Sequence, residues 1–283
     1  MAFETLIDIA GLQGLLASGK PVLLLDCEFD LGAPDKGPAV YLQGHIPGAR
    51  HAHLDNDLAA RPDGTNGRHP LPDRETFAAW LRAQGLRNGQ QAVAYDSNGG
   101  AWAARAWWLL RWLGHAQVAV LDGGKPAWVA AGLPLESGTP ESAPEGDFAA
   151  AASLVAEPVD AGKVLANIGS GDAQVVDARD PSRFRGDPNP IDPVAGHIPG
   201  ARNRFFRDNL GADGRFLPAA ELAEAFTTLL GGKPAMLSCG SGVTACHNAL
   251  AMAIAGLPAP RLYPGSWSEW ISDPARPVAT GEG

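Results

Sequence analysis

One seven-residue stretch occurs twice in this chain, and this repeat constrains the fold more than any other feature. Gly-His-Ile-Pro-Gly-Ala-Arg stands at 44–50 and again at 196–202, an offset of 152 residues (196 − 44). Asp26 and Asp177 each close an apolar run upstream of their copy, at nearly the same offset. Self-similarity at a fixed interval indicates a duplicated structural unit. The chain is therefore predicted to be a tandem duplication.

Each half alternates short apolar runs with longer helical stretches. This pattern predicts an α/β fold in which each half forms a parallel sheet with helices on both faces. The predicted strands are Pro21 to Leu25, Ala92 to Asp96 and Ala235 to Leu237, and the predicted helices are 5–18, Trp102 to Leu113 and Thr244 to Ala255. Ligands of such sheets bind beyond the carboxyl ends of the strands.

The length and composition fit two globular domains. The 283 residues are 45% hydrophobic and 19% charged, which is typical of folded rather than disordered chains. The stretch 136–153 is rich in Ala, Pro, Glu, Ser and Gly and has no periodicity, so it is predicted to be an interdomain linker. We expect one domain over 1–135 and a second over 154–283.

The formal net charge of −9 argues against nucleic acid or an anionic membrane as a partner, because such surfaces would repel the protein at long range. No apolar run is long enough to span a membrane, and the first residues lack the pattern of a signal peptide, so a soluble, cytoplasmic protein is expected. Three cysteines without a C-x-x-C pair suggest neither disulfides nor a metal site.

One of these cysteines, Cys239, opens a tight turn between a predicted strand and a predicted helix. Gly240 and Gly242 allow the backbone to curl so that successive N–H groups point at the sulfur. Those donors and the positive end of the following helix favour the thiolate, which is the nucleophilic form of cysteine. The alternative is a small cysteine buried in a glycine turn.

The duplication separates features shared by both copies from features found in one. His45 and His197 lie in the shared turn and are expected to be structural, whereas Asp96 takes the place of Cys239 in the first copy. The second copy alone carries arginines between its first strand and the shared turn, at Arg179, Arg183 and Arg185. Guanidinium groups match carboxylates and oxyanions, so a small anion is one expected ligand and structural ion pairs are the alternative.

Two further side chains are specific to the first copy. Asp57 aligns with Asn209, and His69 lies in a stretch that is longer in this copy. If the halves face each other, these two residues can reach Ser241 in the cysteine loop and form an Asp-His-Ser proton relay. A solvent-exposed loop histidine is the alternative.

The two Gly-His-Ile-Pro-Gly-Ala turns, the single Cys-Gly-Ser-Gly-Val-Thr-Ala loop from Cys239 and the closing Gly-Ser-Trp-Ser-Glu-Trp at 265–270 resemble the two-domain rhodanese family of sulfurtransferases over essentially the whole chain. Members that use thiosulfate typically carry Arg and Lys after the cysteine, where this chain has Gly240 and Ser241. The resemblance therefore implies the 3-mercaptopyruvate sulfurtransferase branch.

Within that branch, the resemblance implies roles for particular residues. Asp57, His69 and Ser241 would handle a proton, and Arg183 would bind the donor's carboxylate. A second arginine that many members carry shortly afterwards is absent from the shorter loop 186–192. The backbone groups expected to hold the sulfur anion are those of Gly240, Gly242, Val243 and Thr244.

The expected reaction moves sulfane sulfur from 3-mercaptopyruvate through a Cys239 persulfide to cyanide or a thiol acceptor such as thioredoxin. No metal or organic cofactor is implied. Thiosulfate:cyanide sulfur transfer is the alternative activity. A cysteine phosphatase is disfavoured because Ala245 stands where its phosphate-binding arginine would be, and a non-catalytic binding module is the alternative outside the enzymes.

Overall fold

The chain forms two compact units in a computed structural model that describes residues 2–283. Unit 1 comprises the chain up to Ala60 together with Pro72–Leu154 and Ala212–Phe216. Unit 2 comprises Arg61–Leu71, Val155–Gly211 and Leu217–Gly283. The segment Arg61–Leu71 thus lies in unit 2 although it belongs to the first half of the sequence.

Unit 1 contains a parallel sheet of five strands in the order β1-β5-β4-β2-β3 within the described residues. Its elements are β1 (Leu6–Ile7), α1 (Ile9–Ala17), β2 (Val22–Asp26), α2 (Lys36–Gln43), β3 (Arg50–His51), α3 (Arg74–Ala83), β4 (Gln91–Tyr95), α4 (Ala103–Trp112), β5 (Val118–Leu121) and α5 (Gly124–Ala130). The central strand β4 is buried along its whole length, because helices cover a parallel sheet.

Unit 2 contains a four-stranded parallel sheet in the order β7-β6-β8-β9 over the residues that the structure describes. Its elements are α6 (Ala161–Ser170), β6 (Gln174–Asp177), α7 (Pro181–Arg185), β7 (Arg202–Asn203), a 3₁₀ helix (Phe206–Asn209), α8 (Ala219–Leu230), β8 (Ala235–Ser238), α9 (Thr244–Ile254), β9 (Arg261–Leu262) and α10 (Ser266–Trp270). The predicted α/β fold, with a parallel sheet and helices in each half, is confirmed.

Register places the ends of the central strands side by side in both units. Asp26 pairs with Tyr95 in unit 1, and Asp177 pairs with Ser238 in unit 2. The residues that follow these strands therefore emerge together at the carboxyl edge of each sheet, and Cys239 is one of them.

Each unit has its own apolar core. In unit 1 the sheet packs through residues such as Leu24 and Val93 against Leu12 of α1 and Trp128 of α5. In unit 2 a corresponding cluster joins Val175 and Met236 to the aromatic rings of Trp267 and Trp270. Burial of these side chains fixes helices on both sheets and holds the strand ends in place.

The prediction of a helix over 5–18 is wrong at its start. Leu6–Ile7 pair with β5 as a strand, and α1 begins at Ile9. Asp8 sets the boundary, because its backbone is still extended and its carboxylate accepts the N–H of Gly11 at 2.7 Å, which caps the first turn of α1. Over residues 2–283, no helix is long and apolar enough to cross a membrane.

Candidate active site

Cys239 lies in the turn between β8 and α9, as the sequence predicts. Its side chain is buried, and its Sγ atom accepts the backbone N–H groups of Gly242 at 3.1 Å and Ser241 at 3.5 Å. These two donors face one point at the amino end of an eleven-residue helix. Such a cradle stabilises negative charge on sulfur.

Gly242 is required for the shape of this turn. Its φ angle is +75°, and a Cβ atom at this position would lie 2.2 Å from the carbonyl oxygen of Pro264. No side chain fits so close to another backbone. Val243 is buried and Thr244 begins α9, so both stand at the helix end, and their expected contact with a bound anion stays a prediction.

Ser241 and His69 form a direct hydrogen-bonded pair within unit 2. The Oγ atom of Ser241 lies 2.7 Å from Nδ1 of His69, and both side chains are buried. The segment Arg61–Leu71 makes this contact possible, since it belongs to unit 2 and Arg68 donates its backbone N–H to Ser268 Oγ at 2.9 Å. His69 is therefore positioned on the cysteine loop.

Asp57, the third member of the predicted relay, lies in unit 1. Its carboxylate accepts the backbone N–H of His53 at 2.7 Å. Burial raises the pKa of Asp57, and the hydrogen bond from His53 opposes that rise. Its participation with His69 stays a prediction.

Two guanidinium groups converge on Gly240 in the cysteine loop. A Cβ atom added to Gly240 would lie 3.0 Å from Nη2 of Arg183 and 3.2 Å from Nη2 of Arg68. The guanidinium groups of Arg183 and Arg68 thus lie beside Gly240, where a larger residue would place its side chain. The sequence analysis predicts Arg183 at this site but does not predict Arg68. The signal for Arg68 is its position next to His69, which is itself a predicted site residue.

Arg183 is held by a carboxylate from the loop that lacks the second arginine. Its Nε and Nη2 atoms donate to the two oxygens of Asp192, each at 2.8 Å. Burial alone would raise the pKa of Asp192, but the hydrogen bond and charge of Arg183 outweigh burial and hold this pKa below its usual value. The forked pair fixes the direction of the guanidinium.

The other two arginines of the predicted cluster have structural partners. Arg179 is buried, forms ion pairs with Asp177 and Asp192, and lies over the ring of Trp267 at 4.7 Å from its centroid. Arg185 pairs at the surface with Asp187. The structural alternative therefore holds for both residues.

Unit 1 shows what replaces Arg179 in the other copy. Glu28 stands two residues after Asp26, as Arg179 stands two residues after Asp177, and it forms an ion pair with Lys125 at 3.4 Å. Lys125 occupies the place that Trp267 has in unit 2, since each follows a residue with left-handed backbone, Gly124 or Ser266. At these equivalent positions, unit 2 has the guanidinium of Arg179 over the ring of Trp267, and unit 1 has the ion pair between Glu28 and Lys125.

The cradle of unit 1 is filled by the chain itself. The carboxylate of Asp96 accepts four backbone N–H groups at 2.7 to 2.9 Å, and it is fully buried. Those donors belong to Asn98, Gly100, Trp102 and Ala103. Burial raises the pKa of Asp96, and the four hydrogen bonds oppose the rise. The first copy therefore holds an internal carboxylate where the second presents a sulfur.

The repeated histidines have the structural role that the sequence predicts. His45 stacks on Tyr41 and its Nδ1 atom bonds to the Tyr41 carbonyl at 2.9 Å. His197 stacks on Phe184 and bonds to the Phe184 carbonyl at 2.8 Å in the same way.

Within residues 2–283 there is no group of three His, Cys, Asp or Glu side chains that could hold a metal ion.

Comparisons with known proteins agree with this geometry. The family model of the rhodanese-like domain matches residues 9–131 and again residues 160–273. A "probable 3-mercaptopyruvate sulfurtransferase" of Pseudomonas aeruginosa is 54% identical over 272 residues, which are 94% of each chain. A "putative thiosulfate sulfurtransferase" of Mycobacterium tuberculosis is 41% identical over 98% of each chain.

A solved structure extends the likeness to three dimensions. The crystal structure of a 3-mercaptopyruvate sulfotransferase from Escherichia coli superposes with a TM-score of 0.81 at 33% identity, over 94% of this chain and 99% of that one. The family and the general class of reaction expected from the sequence are both confirmed. This chain belongs to the rhodanese family of sulfurtransferases, with one rhodanese-like domain in each half.

Proposed function

We propose that this protein moves the sulfur of 3-mercaptopyruvate through a persulfide on Cys239 to a nucleophilic acceptor. The observation that carries the proposal is the 2.7 Å contact between Ser241 and His69 in the cysteine loop. A hydroxyl polarised by an imidazole serves a donor whose cleavage needs proton transfer. The relatives named for 3-mercaptopyruvate support the same donor.

Donor binding falls to the two arginines at Gly240. Arg183, fixed by Asp192, presents a guanidinium of defined direction, and Arg68 supplies a second cation beside it. A monoanionic α-keto acid offers its carboxylate as a match for such a guanidinium. Arg68 thereby supplies a charge that neither the cysteine loop nor the loop 186–192 provides.

In the first half-reaction, the Cys239 thiolate attacks the thiol sulfur of the donor. The new S–S bond forms as the donor's C–S bond breaks, and the electron pair of that bond passes to carbon as the enolate of pyruvate. The donor thiol loses one proton and the enolate carbon gains one, so the half-reaction is balanced. N–H groups of the cradle then hold the persulfide anion.

In this proposal Ser241 and His69 move that proton. The hydroxyl of Ser241 lies in the same loop as the sulfur, and His69 at 2.7 Å from it can exchange a proton through Nδ1. Asp57 remains the predicted third member of this relay. Gly240, Gly242, Val243 and Thr244 contribute backbone alone.

In the second half-reaction, cyanide or a thiolate attacks the outer persulfide sulfur and leaves with it, which regenerates the Cys239 thiolate. A protein dithiol such as thioredoxin fits the same chemistry. We place the reaction in the cytoplasm, because the proposed nucleophile must be a reduced thiol and reduced thiols persist there.

Thiosulfate is the second candidate donor. Two guanidinium groups beside the loop favour a dianion, and one relative carries that activity in its name. Its leaving group, sulfite, needs no proton, so this activity does not depend on Ser241.

The test is mass spectrometry of the intact protein after incubation with 3-mercaptopyruvate and removal of the excess. We expect a gain of one sulfur atom on the Cys239 peptide, with one pyruvate released per persulfide formed. Cys239→Ser should show neither product. Pyruvate release without sulfur on Cys239 would contradict the proposed route.

A further inference from the structure

Ser266, at the beginning of α10, has an unusual backbone conformation. Among the residues that the structure describes, it is the only one other than glycine with a positive φ angle, at +51°. It is also fully buried. Left-handed backbone is unfavourable for residues that carry a Cβ atom, and it persists where the surroundings impose it, often at functional sites.

The side chain of Ser266 contacts the backbone of Cys239. Its Oγ atom donates to the carbonyl oxygen of Tyr263 at 2.8 Å and accepts the N–H of Cys239 at 3.0 Å. Because the hydroxyl proton is used on Tyr263, a lone pair of the oxygen faces the cysteine. The serine therefore fixes the direction of the N–H that precedes the Cys239 side chain.

The next residues of α10 hold the two peptide groups that follow Cys239 in the chain. Trp267 donates its N–H to the carbonyl of Cys239 at 3.0 Å, and Ser268 donates to the carbonyl of Gly240 at 2.9 Å. Three hydrogen bonds from consecutive residues thus clamp the backbone around the sulfur. Ser266 contributes the one bond that comes from a side chain.

The first copy provides an internal comparison. Gly124 has a φ angle of +57°, and Lys125 after it donates its N–H to the carbonyl of Asp96 at 3.0 Å. A Cβ atom at Gly124 would lie 2.1 Å from that carbonyl. Unit 1 therefore forms the same turn with glycine, which adopts this conformation freely. The turn does not require a serine, so the hydroxyl in unit 2 needs another explanation.

We infer that Ser266 is a positioning residue that sets the backbone of Cys239 so that the sulfur lies under the N–H of Gly242. This inference rests on the proposed role of Cys239 as nucleophile. It assigns to the serine an effect on the reactivity of the sulfur and not on donor binding, because Arg68 and Arg183 bind the donor from other segments. Small errors in the placement of a nucleophile cost large factors in rate.

The test compares Ser266→Gly with wild type. Glycine removes the hydroxyl and also relieves the left-handed backbone, so the turn itself is retained. We expect iodoacetamide to alkylate Cys239 about tenfold more slowly at neutral pH than in wild type. Peptide mass spectrometry measures this rate. We expect kcat for sulfur transfer to fall by a similar factor while KM for the donor stays within about twofold.

Two further variants separate positioning from simple loosening of the fold. Ser266→Ala keeps the strained backbone without the hydroxyl and should lose reactivity to the same degree. Ser238→Ala, which removes a buried hydroxyl next to Cys239 that has no hydrogen-bond partner, should behave as wild type. Loosening alone would speed alkylation, because the sulfur is buried in the native fold.

Faster alkylation, or an unchanged rate in both Ser266 variants, would overturn the inference. Alkylation requires no sulfur donor, so its outcome stands even if 3-mercaptopyruvate is not the substrate. Conversely, a slow Ser266→Gly variant of a protein that forms no persulfide would support the positioning role and refute the proposed function.

Discussion

His69 Nδ1 lies 2.7 Å from the Oγ atom of Ser241, and both residues belong to unit 2 although they are far apart in the sequence. The contact depends on the segment Arg61–Leu71, which carries a histidine of the first half of the chain to the cysteine loop of the second. The same segment brings Arg68 to Gly240. One segment thus brings both an imidazole and a guanidinium group to the cysteine loop.

The first prediction concerns this pair. Ser241→Ala should lower kcat with 3-mercaptopyruvate by roughly 100-fold or more, because the enolate leaving group then lacks its proton donor. Sulfur transfer from thiosulfate should change by less than about threefold, since sulfite leaves without a proton. Steady-state assays with both donors measure the ratio. Equal losses with the two donors would refute the relay.

The second prediction concerns the clamp on Arg183. Asp192→Asn should raise KM for the donor by about tenfold, because the guanidinium loses a partner that fixes its direction. The variant should also unfold with a free energy lower by roughly 3 kcal/mol, since a buried ion pair is broken. Asp187→Asn is the matched control, because Asp187 pairs with Arg185 at the surface. If Asp192→Asn leaves KM unchanged, as the control Asp187→Asn should, the hold of Asp192 on Arg183 does not contribute to donor binding.

The third prediction concerns the internal carboxylate of unit 1. Asp96→Ala leaves four buried N–H groups without their acceptor, so the free energy of unfolding should fall by roughly 3 kcal/mol or more. Asp73→Ala is the control, since this exposed carboxylate caps α3 and should cost only about 1 kcal/mol. Urea denaturation of the two variants gives the comparison. A similar small loss for both would show that the Asp96 cradle contributes little to stability.

The fourth prediction concerns pH. Burial raises the pKa of Asp26 from 3.8 to about 6, and the N–H of Glu28 and the charge of Lys125 only partly oppose this rise. The folded state therefore holds this proton more tightly than the unfolded chain. Its contribution to stability is present below pH 4 and is lost as the pH rises to about 6, a change of about 3 kcal/mol.

Asp26→Asn tests this linkage because it remains neutral at every pH. Relative to wild type, the variant should gain stability between pH 4 and pH 7, and the difference should be constant at higher pH. Urea denaturation at pH 3 and pH 7.5 measures the two limits. A pH-independent difference between variant and wild type would contradict the raised pKa.

Part of this structure could be predicted from the sequence because it depends on local pattern. The duplication and its alternating apolar runs predict two parallel sheets, and Cys239 lies in the predicted turn between β8 and α9. The start of α1 was predicted wrongly, since periodicity alone does not register the cap formed by Asp8.

The rest depends on contacts between distant segments. Comparison of the copies identified the arginines of the second half as a group, but only the fold separates Arg183, which reaches Gly240, from Arg179, which lies over Trp267. The absence of a second arginine in loop 186–192 was visible in the sequence. That the loop instead supplies Asp192 to hold Arg183, and that Arg68 provides the second charge, follows from long-range packing.

The most direct test of the central claim is the steady-state rate of thiocyanate formation with cyanide as acceptor, comparing 3-mercaptopyruvate with thiosulfate on wild type and Cys239→Ala. The proposed function predicts kcat/KM higher by at least about tenfold for 3-mercaptopyruvate, and loss of both activities in the variant. A preference for thiosulfate would contradict this claim and assign Arg68 and Arg183 to a dianionic donor.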